Sequence, residues 1–191
     1  MSARLLRVRD YQRMRWKNGA GWTSELARGG DEGAFDWRIS IAEIDSDGPF
    51  STFAGCDRQI ALLDGAGMEI EFEQAEAIRL DQRLRFFAFA GERHARGRLL
   101  GGPVRDFNVI VRRDTFRAEV LYRPLVGPMV FLPEAVTTWF VYLAGGRAEL
   151  KDVPGMELGA GDSLLLEAGD GARNRVLSGG GEVVLVKLIA R

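Results

Sequence analysis

The chain has only one histidine, His94, and one cysteine, Cys56. Protein sites for zinc or iron take three or four ligands from His, Cys, Asp and Glu side chains, and many of them use several imidazoles. One imidazole cannot supply a site of several histidines, so we expect the protein to bind its ligand without a metal or another cofactor. One cysteine also excludes an internal disulfide, which fits a reducing compartment.

Long apolar segments and a strong net charge are absent as well. The longest apolar runs, such as Trp139–Ala144 and Val183–Val186, are far shorter than the roughly 18 residues that cross a bilayer. Met1–Tyr11 lacks the apolar stretch of a secretory signal. The net charge of −1 gives no global attraction to nucleic acid or to an anionic membrane. We therefore expect a cytoplasmic protein that binds neither.

Twenty-four glycines separate short segments rich in valine, isoleucine, phenylalanine and tryptophan. This pattern is typical of an all-β sandwich or barrel. Within Phe35–Ile44 every second residue from Trp37 to Ile41 is apolar, which predicts a half-buried strand. The other predicted strands are Ile60–Leu63, Met68–Phe72, Phe86–Phe89, Val109–Arg113, Phe116–Tyr122, Trp139–Leu143, Arg147–Leu150, Ser163–Leu166 and Val183–Ile189.

The chain also contains an internal repeat. Ile60–Gly67 aligns with Phe140–Gly146, and Leu80–Gly91 aligns with Leu158–Asp170. Each copy reads as a strand, a glycine turn, a second strand, a loop that begins with leucine, and a third strand. Two such copies predict two jelly-roll barrels related by duplication. The alternative is that glycine turns make unrelated β segments look alike.

Unusual polar residues are concentrated in the first half of the chain. The segment Trp16–Glu25 reads W-K-N-G-A-G-W-T-S-E, and the amides of its Gly-x-Gly turn can form an anion-binding nest. The motifs F-D-W-R-I-S at 35–40, G-P-F-S at 48–51 and D-F-N at 106–108 follow it. Together they predict a ligand site in the first half.

These motifs, in this order, resemble those of the HutD/Ves family, whose members are metal-free double cupins associated in bacteria with histidine utilisation or stress. The resemblance is specific from Trp16 to Arg113 and extends weakly to the end of the chain. It implies an all-β bicupin, in which each half is a double-stranded β-helix, or jelly roll. We expect residues 1–118 to form the barrel with the ligand pocket and residues 119–191 to form a structural barrel.

Arg58 and Arg38 are the first candidates for ligand contact. A guanidinium group presents a planar fork that grips a carboxylate through two charge-assisted hydrogen bonds. The alternative is that each arginine forms an ion pair with Asp36, Asp57 or Asp106 and only ties loops together.

Lys17, Asn18 and Thr23 lie around the Gly-x-Gly turn, and we expect them to form the rim of the pocket. Asn18 has an alternative role, which is to brace the loop through backbone hydrogen bonds. Thr23 and Ser40 each supply a hydroxyl either to a ligand or to the neighbouring backbone.

Asp106 and Asn108 alternate at the start of a strand, so both are predicted to face the barrel interior, where each needs a hydrogen-bonded partner. Asp106 is expected to be the counter-ion of an arginine, with a role as general base as the alternative. Glu25 is expected to pair with Lys17 or Arg58.

The sequence therefore predicts a binding or regulatory protein for a small anionic metabolite. The resemblance implies an intermediate of histidine degradation, such as urocanate or N-formylglutamate, as the ligand. The alternatives are a metal-independent hydrolase or isomerase acting on such a metabolite, and an interaction module that pairs its sheet edges into a homodimer. His94 is expected to lie exposed on a polar loop rather than to act in catalysis.

Overall fold

The computed structural model describes residues 1–16, 19–31, 33–73, 75–169 and 172–191. Within these residues it contains β-strands and one 3₁₀ turn at Val8–Asp10, and no α-helix, which confirms the predicted all-β fold. No helix of the described residues is long and apolar enough to cross a membrane. The strands are β1 (Ser2–Leu6), β2 (Gln12–Arg15), β3 (Gly21–Gly29), β4 (Trp37–Ile44), β5 (Gly48–Pro49), β6 (Cys56–Asp64), β7 (Met68–Phe72), β8 (Ala75–Leu80), β9 (Phe87–Ala90), β10 (Ala95–Leu99), β11 (Val104–Arg112), β12 (Phe116–Phe131), β13 (Thr137–Leu150), β14 (Glu157–Gly159), β15 (Ser163–Glu167) and β16 (Arg175–Ala190).

The strands are grouped into two compact units. The N-terminal unit is Tyr11–Phe116, and the C-terminal unit combines Met1–Asp10 with Arg117–Arg191. The division expected from the sequence, 1–118 and 119–191, differs from this one in residues 117 and 118 and in the first ten residues. The first ten residues belong to the C-terminal unit because β1 pairs with β15 along its whole length.

The C-terminal unit contains one six-stranded sheet. Five of its strands follow the order β1-β15-β13-β16-β12, and β14 pairs with β13. β13 and β16 are long and antiparallel, and their register shifts between Leu143 and Gly145. Gly146 has a φ of 92° there, and a Cβ on it would stand 2.0 Å from the Gly180 carbonyl oxygen. Ala144 is therefore the extra residue of a bulge in a continuous strand, and Gly145-Gly146 follows it directly, so the prediction of a turn at this point of the repeat was wrong.

The N-terminal unit contains a six-stranded sheet, β2-β3-β4-β11-β6-β9, and a four-stranded sheet, β5-β10-β7-β8. Buried apolar side chains from both sheets form one cluster, so the sheets enclose a common core. Ile60 and Leu62 contribute to it from β6, and Met68 and Ile70 contribute from β7.

The alternation of apolar and other residues in β4 does not separate a buried face from an exposed one. Ile39 and Ile41 are buried on one face of the strand, but Ser40 and Ala42 are also less than a tenth exposed on the other. Ala42 belongs to the apolar core of the N-terminal unit. Arg38 and Ser40 therefore face the interior of the unit, and the prediction of a half-buried strand was wrong.

A buried carboxylate holds the start of the C-terminal unit in place. Asp162 accepts hydrogen bonds from the amides of Val8 and Gly159, at 3.0 Å each, and from Arg7 Nη1 at 2.9 Å. Burial opposes ionisation, but these hydrogen bonds outweigh it and lower the pKa of Asp162. Because the folded state holds this group ionised, its stabilising effect is present at neutral pH and is lost as the pH falls below the ordinary aspartate range.

Replacing Asp162 with alanine is expected to lower the unfolding free energy by about 2 kcal/mol at neutral pH, because the Val8 and Gly159 amides lose their acceptor. Urea denaturation measures this directly. Glu119, whose ion pair with Arg117 is about half exposed, is the control, and its replacement by alanine should change the unfolding free energy by less than about 0.5 kcal/mol. Equal effects of the two substitutions would show that Asp162 has no structural role.

Candidate functional site

A cavity of about 580 Å³ lies in the N-terminal unit. Its walls come from β2 to β6, from β11 and from the segment that follows β5. The lining residues are Met14, Arg15, Trp16, Thr23, Arg38, Ser40, Ala42, Pro49, Phe50, Ser51, Phe53, Arg58, Asn108 and Ile110.

The strand register brings the predicted site residues together. Ile110 of β11 pairs with Arg38 of β4 on one side and with Arg58 of β6 on the other. Asn108 pairs with Ser40 in the next row of the same face. Because alternate residues of a strand share a face, these polar side chains all point into the unit.

Arg58 marks the border between the apolar core and the cavity. Along β6, Leu62 and Ile60 point into the core, and Arg58 is the next residue on the same face. Arg58 as a residue is only 5% exposed. Its carbon lies 4.8 Å from the centroid of the Phe50 ring and 5.3 Å from that of Phe89, which are cation–π distances.

The hydrogen bonds of Arg58 go to a neutral group. Nε and Nη2 donate to Asn108 Oδ1 at 2.9 and 2.7 Å. Among the described residues, no carboxylate lies within ion-pair distance of Arg58. Burial lowers the pKa of Arg58 to about 10, and the like charge of Arg38 acts in the same direction, whereas Asp106 opposes it. The guanidinium stays protonated at neutral pH but carries a charge that its surroundings neutralise only in part.

Asp106 lies behind Asn108 and does not line the cavity. Its Oδ1 accepts a hydrogen bond from Asn108 Nδ2, so the amide links the carboxylate to Arg58. Asp106 is fully buried, and its Oδ2 has no hydrogen-bond partner among the described residues. Burial raises the pKa of Asp106 to about 7, although Arg58 and the Asn108 amide oppose the rise. Asp106 was predicted to be the counter-ion of an arginine, but its link to Arg58 is indirect and runs through the Asn108 side chain.

Arg38 has a direct carboxylate partner. Its Nε donates to Glu25 Oε2 at 2.9 Å, and both side chains are less than a fifth exposed. Glu25, for which the sequence offered Lys17 or Arg58, pairs with Arg38, and Lys17 lies outside the described residues. Among the described ion pairs of Arg38, none involves Asp36, Asp57 or Asp106. Of the two arginines predicted to bind a ligand, Arg58 is the one without a carboxylate of its own among the described residues.

Three hydroxyl residues also line the cavity, and they are Thr23, Ser40 and Ser51. Thr23 Oγ1 accepts a hydrogen bond from the Trp16 indole at 2.8 Å, which leaves the hydroxyl proton of Thr23 able to donate to a ligand. Ser40 lines the cavity beside Asn108. Lys17 and Asn18, the other predicted rim residues, lie outside the described residues.

The Gly-x-Gly turn closes the β2–β3 hairpin. Gly19 has a φ of 74°, and its amide donates to the Trp16 carbonyl, so this amide is not available for an anion nest. Gly21 opens β3, where a Cβ would stand 2.2 Å from the Glu43 carbonyl oxygen. The glycines therefore allow close strand pairing, and the prediction of an anion nest was wrong for Gly19.

Sequence reasoning missed the contribution of Phe50. This residue is the phenylalanine of the G-P-F-S motif, and its amide donates to the Ala95 carbonyl at 2.9 Å. A Cβ on Gly97 would stand 2.9 Å from the Phe50 ring, so a glycine on β10 makes room for that ring beside Arg58. Gly97 is a sequence signal for this contact, but the sequence does not show that Gly97 packs against Phe50.

The described residues contain no group of three or more His, Cys, Asp or Glu side chains arranged to hold a metal ion. His94 is exposed, as predicted. Cys56 is buried, its thiol lies 3.7 Å from the Ala54 carbonyl oxygen, and burial raises its pKa. The described residues that line the cavity include arginines, hydroxyl residues and the Asn108 amide, and none of them is a carboxylate or an imidazole.

Comparison with known sequences gives a consistent result. The model of the HutD family matches residues 8–185. An uncharacterized 21.2 kDa protein in the hutC 3′ region of Pseudomonas putida is 38% identical over 194 residues, which cover 98% of this chain and 97% of that protein. Protein Ves of Cronobacter sakazakii is 36% identical over 139 residues, covering 72% of this chain and 74% of Ves.

Solved structures agree with the sequence matches. HutD from Pseudomonas fluorescens SBW25, in a formate condition, is 34% identical, with a TM-score of 0.85 and full coverage of both chains. YhhW from Escherichia coli, a bacterial pirin, is only 9% identical, but its TM-score of 0.72 over 97% of each chain shows the same fold. The expected all-β jelly-roll fold is thereby confirmed. Given a family match over nearly its whole length, the chain belongs to the HutD family.

Proposed function

We propose that the N-terminal unit binds a small carboxylate metabolite, and that Arg58 grips its carboxylate group. The protein acts as a binding or regulatory protein in this proposal, without a metal. Intermediates of histidine utilisation, such as urocanate and N-formylglutamate, are the first ligands to test. Support for this class comes from the HutD family match and from the hutC region named for the Pseudomonas putida relative.

The observation that carries the proposal is the incomplete partnership of Arg58. Burying a charge is costly unless it is paired, and the neutral Asn108 oxygen compensates for it only in part. A carboxylate entering the cavity can complete the pair through charge-assisted hydrogen bonds, each contributing about 1.5–3 kcal/mol. A preformed site of this kind costs little rearrangement on binding.

The rest of the cavity suits the body of such a ligand. Trp16, Phe50 and Phe53 form apolar wall, whereas Thr23 and Ser40 offer hydroxyl groups. The volume of about 580 Å³ lies within the range of small-molecule sites. Micromolar affinity requires about 8 kcal/mol, which a ligand of about a dozen heavy atoms can supply.

A hydrolase or isomerase acting on the same metabolites is less well supported. Either reaction needs a general base within reach of the ligand. Among the described lining residues there is no carboxylate and no imidazole, because Asp106 lies behind Asn108 and Glu25 is bound to Arg38. Binding without turnover therefore fits the geometry better.

The experiment is a thermal-shift screen with urocanate and N-formylglutamate, each beside its uncharged primary amide. At a hundredfold excess over the dissociation constant, a true ligand stabilises the folded state by about 2.7 kcal/mol. We expect the acids to raise the melting temperature and the amides to have no effect. Proton NMR of the same samples should show unchanged ligand. Equal shifts by acids and amides, or conversion of the ligand, would refute the proposal.

Thr23→Val tests the rim of the cavity. Valine keeps the shape of the side chain but removes the hydroxyl, so the affinity for N-formylglutamate should fall about fivefold, as for one lost neutral hydrogen bond. Calorimetric titration measures this change. Thr115→Val is the matched control because Thr115 bonds Asp36 and is not among the lining residues. An equal loss in both variants would argue against a direct role for Thr23.

A further inference from the structure

We propose, on the basis of the proposed function, that Asp106 couples anion binding to proton uptake, so that the cavity takes in a carboxylate together with one proton. The ligand would contact Arg58, and the proton would be held on the buried Asp106 carboxyl behind it. Asp106 thus adjusts the charge of the site and does not contact the ligand.

The first support is the surroundings of Asp106. Its Oδ1 is hydrogen-bonded to Asn108, but its Oδ2 is buried and has no partner among the described residues. Across the sheet Asp106 pairs with the apolar residues Ala42 and Leu62. An ionised oxygen is poorly stabilised in such a place, whereas a protonated one carries no charge to solvate.

The second support is the small number of charges around Asp106. Within the described residues, the cation linked to Asp106 is Arg58 of β6, and the Asn108 side chain lies between the two groups. Arg38 of β4 lies farther along the same face and is already paired with Glu25 of β3. The described residues that the opposite, four-stranded sheet contributes to the apolar core beside it are Met68, Ile70, Phe72, Ile78, Leu80, Ala95 and Leu99.

An anion bound to Arg58 therefore changes the net charge of this buried region. In the free protein, the charges of Arg58 and an ionised Asp106 sum to zero. A carboxylate on Arg58 brings a second negative charge into the same buried region, and a proton on Asp106 removes the excess. Binding of the anion thus favours the protonated carboxyl, and by linkage the protonated carboxyl favours binding of the anion.

The sign of the pH dependence follows from the raised pKa of Asp106, about 7 in the free protein because of burial. The bound anion raises this pKa further. Affinity should therefore be greatest below about pH 7, fall by up to tenfold per pH unit above it, and level off above the pKa of the complex.

The test is calorimetric titration of the wild-type protein with N-formylglutamate and with formate, neither of which titrates near neutral pH. At about pH 8, titrations in two buffers of different ionisation enthalpy should show most of one proton taken up per anion bound. The affinity should be about twentyfold lower at about pH 8.5 than at about pH 6. Binding with equal affinity at both values and no proton uptake would overturn the inference while leaving the proposed function intact. Failure of both probes to bind would refute the proposed function itself.

Two variants identify the group that takes up the proton. Asp106→Asn resembles the protonated carboxyl, so its affinity should match that of the wild type at low pH and should not change with pH. His94→Gln removes the one histidine of the sequence, which lies on an exposed loop, and should leave the wild-type dependence unchanged. A pH dependence lost in His94→Gln would overturn the assignment. If Asp106→Asn fails to fold, the wild-type proton uptake still decides the inference.

Discussion

Replacing Arg58 with methionine is expected to weaken binding of urocanate and N-formylglutamate at least a hundredfold. Methionine is apolar and suits the aromatic surroundings of Phe50 and Phe89, but it offers no hydrogen bond. The loss of two charge-assisted hydrogen bonds amounts to about 3–6 kcal/mol, of which about 2.7 kcal/mol is already a hundredfold change in affinity. Calorimetric titration at about pH 6 measures the effect, because Asp106 is then mostly protonated and the loss of Arg58 leaves no buried charge.

Arg113→Met is the matched control for this substitution. Arg113 is partly exposed and pairs with Asp57 and Glu92, and it is not among the residues that line the cavity. Its replacement should leave the affinity within about twofold of the wild type. The double variant Arg58→Met with Asp106→Asn preserves neutrality at every pH and keeps the test valid if the single variant is unstable. An affinity within threefold of the wild type in both Arg58 variants would show that the ligand does not bind at Arg58.

The unfolding free energy of the wild-type protein is expected to fall by about 3 kcal/mol between about pH 5 and about pH 7.5, and Asp106→Asn should abolish this fall. Burial raises the pKa of Asp106 to about 7 in the folded state, far above its unfolded value. The folded protein therefore binds more protons than the unfolded chain in this window, and stability decreases as the pH rises through it. Each unit of pH contributes about 1.4 kcal/mol where the proton difference is complete.

The other groups with shifted pKa values act outside this window. Cys56 has a raised pKa, but it acts near and above its ordinary value of 9.0. The carboxyls with lowered pKa values act below the ordinary range of Asp and Glu, and they are Glu92, Asp114, Asp152 and Asp162. Urea denaturation across the window, with wild type and Asp106→Asn in the same buffers, gives the measurement. A parallel fall in both proteins would mean that Asp106 is not the responsible group.

The interior polar residues could be predicted from alternation alone. Asp106 and Asn108 share a face because they lie two residues apart in a strand, and Arg38 and Ser40 do so for the same reason. The polar motifs indicated a site in the first half of the chain, where the cavity lies. Alternation could not show that Arg38 pairs with a carboxylate, whereas Arg58 pairs with a neutral amide.

The partners of the two arginines depend on which strands pair with each other. Glu25 reaches Arg38 from β3, a strand that was not predicted, and the register between β3 and β4 shifts just after Glu25. β3 escaped prediction because its start lies in the glycine-rich motif, which reads as a loop. The contact between Arg58 and Asn108 likewise joins residues 50 positions apart. Local sequence contains no signal for such choices, because they depend on which strands become neighbours.

A crystal structure of the protein with N-formylglutamate tests the central claim most directly. The account predicts a carboxylate oxygen within about 3 Å of the Arg58 guanidinium group, with Asn108 still between Arg58 and Asp106. The rest of the ligand should lie along Trp16 and Phe50. A ligand bound elsewhere, or one in this cavity whose carboxylate points away from Arg58, would contradict the account.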